Sequence, residues 1–405
     1  MRPSSPLPSL KPAAEISNVC FSRLKCLARF AVGDFRNSHS DSTRPVVTSD
    51  AARGIADGRQ ECGCSAAKDR GANPCFLCMA DPKQAKITRE LEHAAPLIAC
   101  AFDPQGRWLF ACSEDRSVVR WEIESGKKTV LSGHNSWPMA LAVTADGATL
   151  ISAGGDDSLL WWPAGDAEPK PSRTVRAHDG WIRALALSPD GKLIASAGND
   201  RIVRLWNAAD GTAAEECKGH GRDIYSLLWH PSGQQLLSGD LDGKIHQWEV
   251  PGGKLARTID AGALHVFEGG QQVHYGGVRA LTLSPDGKVL AAAGHHKSTN
   301  PLGNVQEPLV LCFNWDDAKP AGQHPGSDDM KNHTLWGAAY HKDGWLAAVA
   351  GGGGGAILFW NKGEEKPFHR YPLPNTARGM AFHPAGHTIA TVHHDRKARL
   401  SRLGD

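Results

Sequence analysis

The stretch from His178 to Trp206 reads HDGWIRALALSPDGKLIASAGNDRIVRLW. Its apolar residues alternate with small or polar ones in three short runs. The turn SPDG separates the first two runs, and an Asn-Asp turn separates the last two. Alternation with a period of two, bounded by Gly, Pro, Asp and Asn, is the pattern of half-buried strands joined by tight turns. The stretch before it, His134 to Trp162, reads HNSWPMALAVTADGATLISAGGDDSLLWW, and the one after it, His220 to Trp248, reads HGRDIYSLLWHPSGQQLLSGDLDGKIHQW. Each is 29 residues long and all three align without a gap. A fourth, more variable run leads from each Trp towards the next His. The unit is therefore four short strands, repeating every 40–45 residues or so.

Outward from these copies, the terminal Trp recurs at 121, 162, 206, 248, 315 and 360, and Ser401 falls where a seventh is due. The spacings are 41, 44, 42, 67, 45 and 41 residues. Seven units thus run from about Ile87 to the C-terminus. The long step marks an insertion in unit five. One part is HHKSTNPLGNVQEP, from His295 to Pro308, between the second and third strands; the other lengthens the approach around His265 to His274.

These residues resemble the WD40-repeat family over about four fifths of the chain. The resemblance implies an all-β, seven-bladed β-propeller in which each blade carries a structural tetrad of His, Ser or Thr, Asp and Trp. Three units match in full: His134, Ser152, Asp156, Trp162; His178, Ser196, Asp200, Trp206; and His220, Ser238, Asp242, Trp248. Unit one keeps His93, Asp115 and Trp121 with Ala111 in place of Ser. Unit six has Ala350 and Gly354 for Ser and Asp, and unit seven keeps Thr391 and Asp395. A buried Trp N–H needs an acceptor, which the Ser supplies, while the His links Ser to the turn Asp. Recurrence beside a Trp in three copies argues against a hydrolase triad, because an active site is single.

An open ring of sheets would leave a strand edge bare at each end. The last unit stops at its third strand, Lys397 to Leu403. AKITRELE, from Ala85 to Glu92, is available as its missing outer strand, so the two segments are expected to pair. The propeller is accordingly assigned to residues 85–405 and a Cys-containing segment to 1–84. Three readings fit that segment: a disordered tail, an upstream extension of a true start at Met79, or a metal module built on Cys62, Cys64, Cys75 and Cys78. It shows neither helical nor strand periodicity, and residues 1–78 hold 11 Lys and Arg against 7 Asp and Glu.

The whole chain of 405 residues has a formal net charge of +2, and no basic stripe points to nucleic acid. No run of about 18 apolar residues suggests a membrane-spanning helix. Cys100, Cys112, Cys217 and Cys312 are scattered among strand-like sequence, as expected of small buried hydrophobes in a reducing compartment, and the chain is expected to be cytoplasmic.

Propellers bind partners where the first strands enter, around the central channel. The corresponding positions in the seven units are Ile98, Met139, Arg183, Tyr225, Arg279, Trp336 and Arg378, with Trp137 and Trp181 in the same loops. Arg, Tyr and Trp are the residues enriched in binding hot spots. The expected function is a non-catalytic scaffold that docks a protein or peptide, of acidic or phosphorylated chemistry, on this basic and aromatic rim. No cofactor, metal ligand or catalytic residue is assigned. The alternative is an enzyme or metal-binding propeller that uses His295–His296, His393–His394 and the unit-five insertion. Those histidine pairs read more simply as solvated turn residues. The run Gly351 to Gly355 lacks the following Lys-Ser/Thr and the helix of a phosphate-binding loop, and reads as a flexible replacement for the Asp turn of unit six.

Overall fold

The computed structural model describes residues 80–270, 272–298 and 305–404. The Cys62, Cys64, Cys75 and Cys78 module, the alternative start at Met79 and the centre of the 295–308 insertion lie outside them. Seven four-stranded antiparallel sheets follow one another, each in simple up-and-down order except the last. Their innermost strands are Leu97–Phe102, Pro138–Val143, Ile182–Leu187, Ile224–Trp229, Ala280–Leu283, His333–Tyr340 and Ala377–Phe382. Each packs on the innermost strands of the blades on either side, and blade seven packs on blade one. The chain is a closed seven-bladed β-propeller.

The seventh blade closes as its sequence requires. Its outermost strand, Asp81–Glu92, comes from the start of the described region and pairs antiparallel with Lys397–Gly404. Ile87 opposes Ser401, Glu90 opposes Arg399 and Leu91 opposes Ala398. The strand begins four residues before the expected Ala85. Charge reinforces the seam: Glu90 takes Lys397 Nζ at 2.6 Å and Arg399 Nε at 2.8 Å, with the Arg399 side chain almost wholly buried.

Alternation puts apolar side chains on both faces of every inner strand, so the core lies between blades. Among the described residues seven hydrophobic clusters form, one at each interface. The SPDG turns are held by their own side chains. In Ser188–Gly191 the Ser188 hydroxyl donates to Asp190 at 2.6 Å and accepts the Leu193 N–H at 2.9 Å, with Gly191 at φ +73°.

The tetrads form in blades two, three and four, with one substitution of partner. Trp162 Nε1 donates to Ser152 Oγ at 2.8 Å, Ser152 meets His134 Nε2 at 2.7 Å, and His134 Nδ1 lies 3.0 Å from Asp156. Trp206, Ser196, His178 and Asp200 repeat this at 2.8, 2.7 and 2.9 Å. In blade four Trp248, Ser238 and His220 repeat it, but the carboxylate is Asp240, 2.7 Å from His220 Nδ1, not Asp242. Asp240 also accepts the Lys244 N–H and so fixes the turn from its first position. Asp242 is left to face the approach to blade five.

Strand register corrects two further assignments. In blade two, Trp162 opposes Leu150. The residue in that place in blade five is Phe313, opposite Leu290, not Trp315. Trp315 instead lies half-buried on the flank of blade four, stacked on His230 at 4.4 Å with Arg257 over its face. In blade six Leu346 opposes Trp360, so the position equivalent to Ser152 is Ala348, two residues before the expected Ala350. Trp360 Nε1 is buried without a hydrogen-bond acceptor, as loss of the Ser hydroxyl requires.

The glycine run in blade six is close-packed rather than loose. A Cβ on Gly351, Gly352 or Gly355 would lie 2.0, 1.9 and 2.0 Å from the backbone oxygens of Ala377, Asn332 and Asn375. Glycine is needed there because three backbone carbonyls from two neighbouring segments press on the hairpin.

Candidate partner-binding face

The rim residues are placed by a repeated irregularity. In blades one to four, six and seven the innermost strand carries a register shift at its start. In five of them the residue passed over is Met139, Arg183, Tyr225, Trp336 or Arg378. A bulge residue is out of the pleat alternation and its side chain is re-aimed. The sequence carried the identity of these residues but no mark of the bulge, apart from their fixed place one residue after an apolar one.

Four consecutive blades then join through their rim side chains. The Arg183 guanidinium lies 5.5 Å from the Trp181 ring centroid and 4.8 Å from that of Tyr225. Arg279 lies 3.9 Å from the Tyr225 centroid and 5.7 Å from that of Trp336. Each such contact is worth about 0.5–2 kcal/mol, more when desolvated. The run Trp181, Arg183, Tyr225, Arg279, Trp336 is a ladder of alternating cations and rings across blades three to six. Arg183 Nε also donates to Asn199 Oδ1. Arg378 closes towards blade one through an ion pair with Glu114. Trp137 and Trp181 lie side by side, 6.4 Å between centroids.

The expected open rim is only partly open. Arg279 is fully buried, and Arg183 and Tyr225 are only 7% and 5% exposed. Arg279 lies deep in the ladder, so it supports Tyr225 and Trp336 rather than meeting a partner. Trp137, Trp181, Trp336 and Arg378 are the partly exposed members. The nearby Asp223 carboxyl has its pKa raised by burial, against the pull of Arg183, Arg201 and Arg222.

Of the paired histidines, His394 is the exposed turn residue expected, whereas His295 and His393 are buried. His295 is buried and shares a hydrogen bond of 2.9 Å with Thr334 Oγ1, which also accepts Gln306 Nε2 at 2.7 Å. Burial, then the charge of Arg279, pushes the His295 pKa down to about 3. His393 is buried between Thr391 Oγ1 at 2.8 Å and the Asn375 carbonyl at 3.0 Å. Burial, then Arg399, brings its pKa to about 4. His393 has partners on both ring nitrogens and His295 on Nδ1 alone, and the two lie apart in blades five and seven, so the two pairs do not converge on an ion. His296 is half-buried beside Glu307 at 3.5 Å, and His394 is exposed.

The fold and this face define a repeat propeller whose recurring polar sets are structural. The WD40 family model, described as WD domain, G-beta repeat, matches residues 85–122, 126–162, 169–207, 211–249 and 264–299. The chain belongs to the WD40-repeat family. The matched repeats are those up to the second strand of blade five; the blades with the most altered tetrads lie beyond. Similar proteins include Protein HIR1 of Kluyveromyces lactis, 24% identical over 196 residues, which are 44% of this chain and 22% of that protein. Protein hir1 of Schizosaccharomyces pombe is 26% identical over 46% of this chain and 21% of its own length. WD repeat-containing protein SL1-17 of Schistosoma mansoni is 28% identical over 46% of this chain and 53% of its own length. The matches thus span about a fifth of the HIR1 proteins and about half of the Schistosoma protein. Among the described residues no helix is long and apolar enough to cross a membrane.

Proposed function

We propose that this protein is a non-catalytic docking platform whose partner, a protein or peptide with an acidic or phosphorylated segment, binds across the mouth of the channel at blades two to seven. The observation that carries the reading is the ladder from Trp181 to Trp336, set by strand bulges. Trp137, Trp181 and Trp336 offer ring surface for apolar side chains, Arg378 offers a guanidinium fork for carboxylate or phosphate, and the buried Arg183 braces the Trp181 and Tyr225 rings. Arg279, from beneath, keeps the rings in place. The same fold hosts many activities, so the reading rests on this face and not on the propeller alone. The near-neutral chain does not favour nucleic acid. Cys100, Cys112, Cys217 and Cys312 are buried free thiols, with burial raising Cys217 to about 12 and Cys312 to about 11. That suits a reducing compartment such as the cytoplasm.

The test is fluorescence polarisation of the full chain with an oligo-glutamate peptide and a phosphoserine peptide, beside affinity capture from the native cell. An Arg378→Gln variant should bind the anionic peptide at least about tenfold more weakly. Trp137→Ala/Trp181→Ala should lose captured partners. Wild type that binds neither peptide, with a capture profile unchanged by either variant, overturns the reading.

A further inference from the structure

The insertion before blade five folds as a two-stranded hairpin of its own, His265–Glu268 paired with Val273–Gly276. It lies against the turn of blade four that carries Asp242, the residue the tetrad does not use. Three donor atoms meet there. His265 Nε2 is 2.9 Å from His274 Nδ1, and Asp242 Oδ1 is 3.6 Å from the first and 3.7 Å from the second. Among the described residues this is the group of His, Cys, Asp or Glu side chains close enough to share an ion.

We propose that Asp242, His265 and His274 form a binding site for a divalent transition metal of the zinc type, which fastens the blade-five hairpin to blade four. The triangle has the right size. The in-plane point equidistant from its corners lies about 2.0 Å from each, so an ion with zinc–nitrogen and zinc–oxygen bonds of about 2.0–2.2 Å stands in or just above the plane. Two imidazoles and one carboxylate are a zinc donor set that leaves a fourth, tetrahedral position for water or a partner's ligand. The environment fits as well. The Asp242 Oδ1 atom is buried yet accepts no hydrogen bond.

Arg222 is the competitor. Its Nε stands 3.3 Å from Asp242 Oδ1 and its Nη2 donates to His274 Nε2 at 3.0 Å. Ligation through His274 Nδ1 places the ring proton on Nε2, where Arg222 can no longer donate. Arg222 is about half exposed and turns out to solvent when the ion enters. The ion and the guanidinium therefore exclude each other. The occupied site would stiffen the hairpin that presents Phe267, 47% exposed and packed on the His274 ring at 4.6 Å between centroids. Asp242, His265 and His274 are not members of the ladder, and either proposal could fail without the other.

The test is calorimetric titration of the chelator-stripped full chain with zinc chloride, with tryptophan fluorescence to confirm folding. Wild type should bind one equivalent that His265→Ala weakens at least about tenfold. Arg222→Ala keeps all three ligands, removes the competing charge and should bind several-fold tighter. Cobalt substitution separates this site from the four cysteines between Cys62 and Cys78, since only the latter give thiolate-to-metal absorption. Zinc should also slow amide exchange across Val266–Tyr275. Equal titrations for wild type and His265→Ala, binding that is wholly of thiolate type, or an Arg222→Ala variant no tighter than wild type overturns the site.

Discussion

Blades two, three and four each satisfy a buried Trp through Ser and His to a turn carboxylate. Blades five, six and seven lie in the same ring without that chain. Blade five has Phe313 where the indole would be, blade six has a Trp with no acceptor, and blade seven has Ser401. What replaces the tetrads is local and different each time. His295, Thr334 and Gln306 link blade five to blade six, while His393 bonds Thr391 and the Asn375 carbonyl within blade seven. The lesson is that the ring is held by apolar faces between blades, which are continuous throughout. The polar chains satisfy buried groups in the regular blades, and blade six holds its place in the ring with Trp360 Nε1 unpaired.

The largest effect should come from breaking a regular blade at its indole. Trp162→Ala should cost about 3–5 kcal/mol of unfolding free energy in chemical denaturation, because it opens a cavity and strands Ser152 and His134. Trp315→Ala, although from the same sequence series, should cost clearly less, since that ring lies half-buried on the outer flank. Equal losses would mean that the register assigned to blade five is wrong.

Acid should weaken the irregular half first. His295 and His393 stay neutral when folded, with pKa values near 3 and 4, against about 6.5 when unfolded. Their contribution is complete above about pH 6.5 and is lost as pH falls towards the folded values, at about 1.4 kcal/mol per pH unit for each. The tetrad carboxylates act lower. Burial alone would raise Asp156, but its bond to His134 and the neighbouring charge hold it below the ordinary range, so its share is lost only below about pH 4. Melting temperature should therefore fall between pH 6.5 and 4, and His393→Gln should flatten that slope. A profile unchanged by the substitution would refute the assignment.

A smaller effect sharpens the comparison from the other side. Ser152→Ala should cost about 1–3 kcal/mol by leaving Trp162 Nε1 without its acceptor. Ala348→Ser should gain about 0.5–1.5 kcal/mol by giving Trp360 one, whereas Ala350→Ser should not. If Ala350→Ser is the stabilising change, the blade-six register is two residues out.

Much of this was legible in the sequence. The alternation and the His-to-Trp span gave seven blades, three complete Ser–His–Trp sets and the strand that closes the ring, because these depend on local pattern. Four things were not legible. Asp242 rather than Asp240 sits at the family spacing, and only the folded turn shows that Asp240 reaches His220. Trp315 and Ala350 were misplaced because hairpins of altered length shift register without changing composition. The rim was read correctly for residue type but not for depth, since the stacking of Arg279 under Tyr225 and Trp336 arises between blades far apart in sequence. The pairing of His265 with His274 depends on a hairpin too short to show in periodicity.

Closure of the ring is tested most directly by a Leu91→Cys/Ala398→Cys variant, which places two thiols on opposed residues of the seam. After mild oxidation of the folded full chain, peptide mass spectrometry should find the two introduced thiols joined as a disulfide in most molecules, with a Lys86→Cys/Ala398→Cys control largely unlinked. A folded protein in which the introduced pair does not join, or in which the control links equally well, would contradict a propeller zipped between its first and last strands.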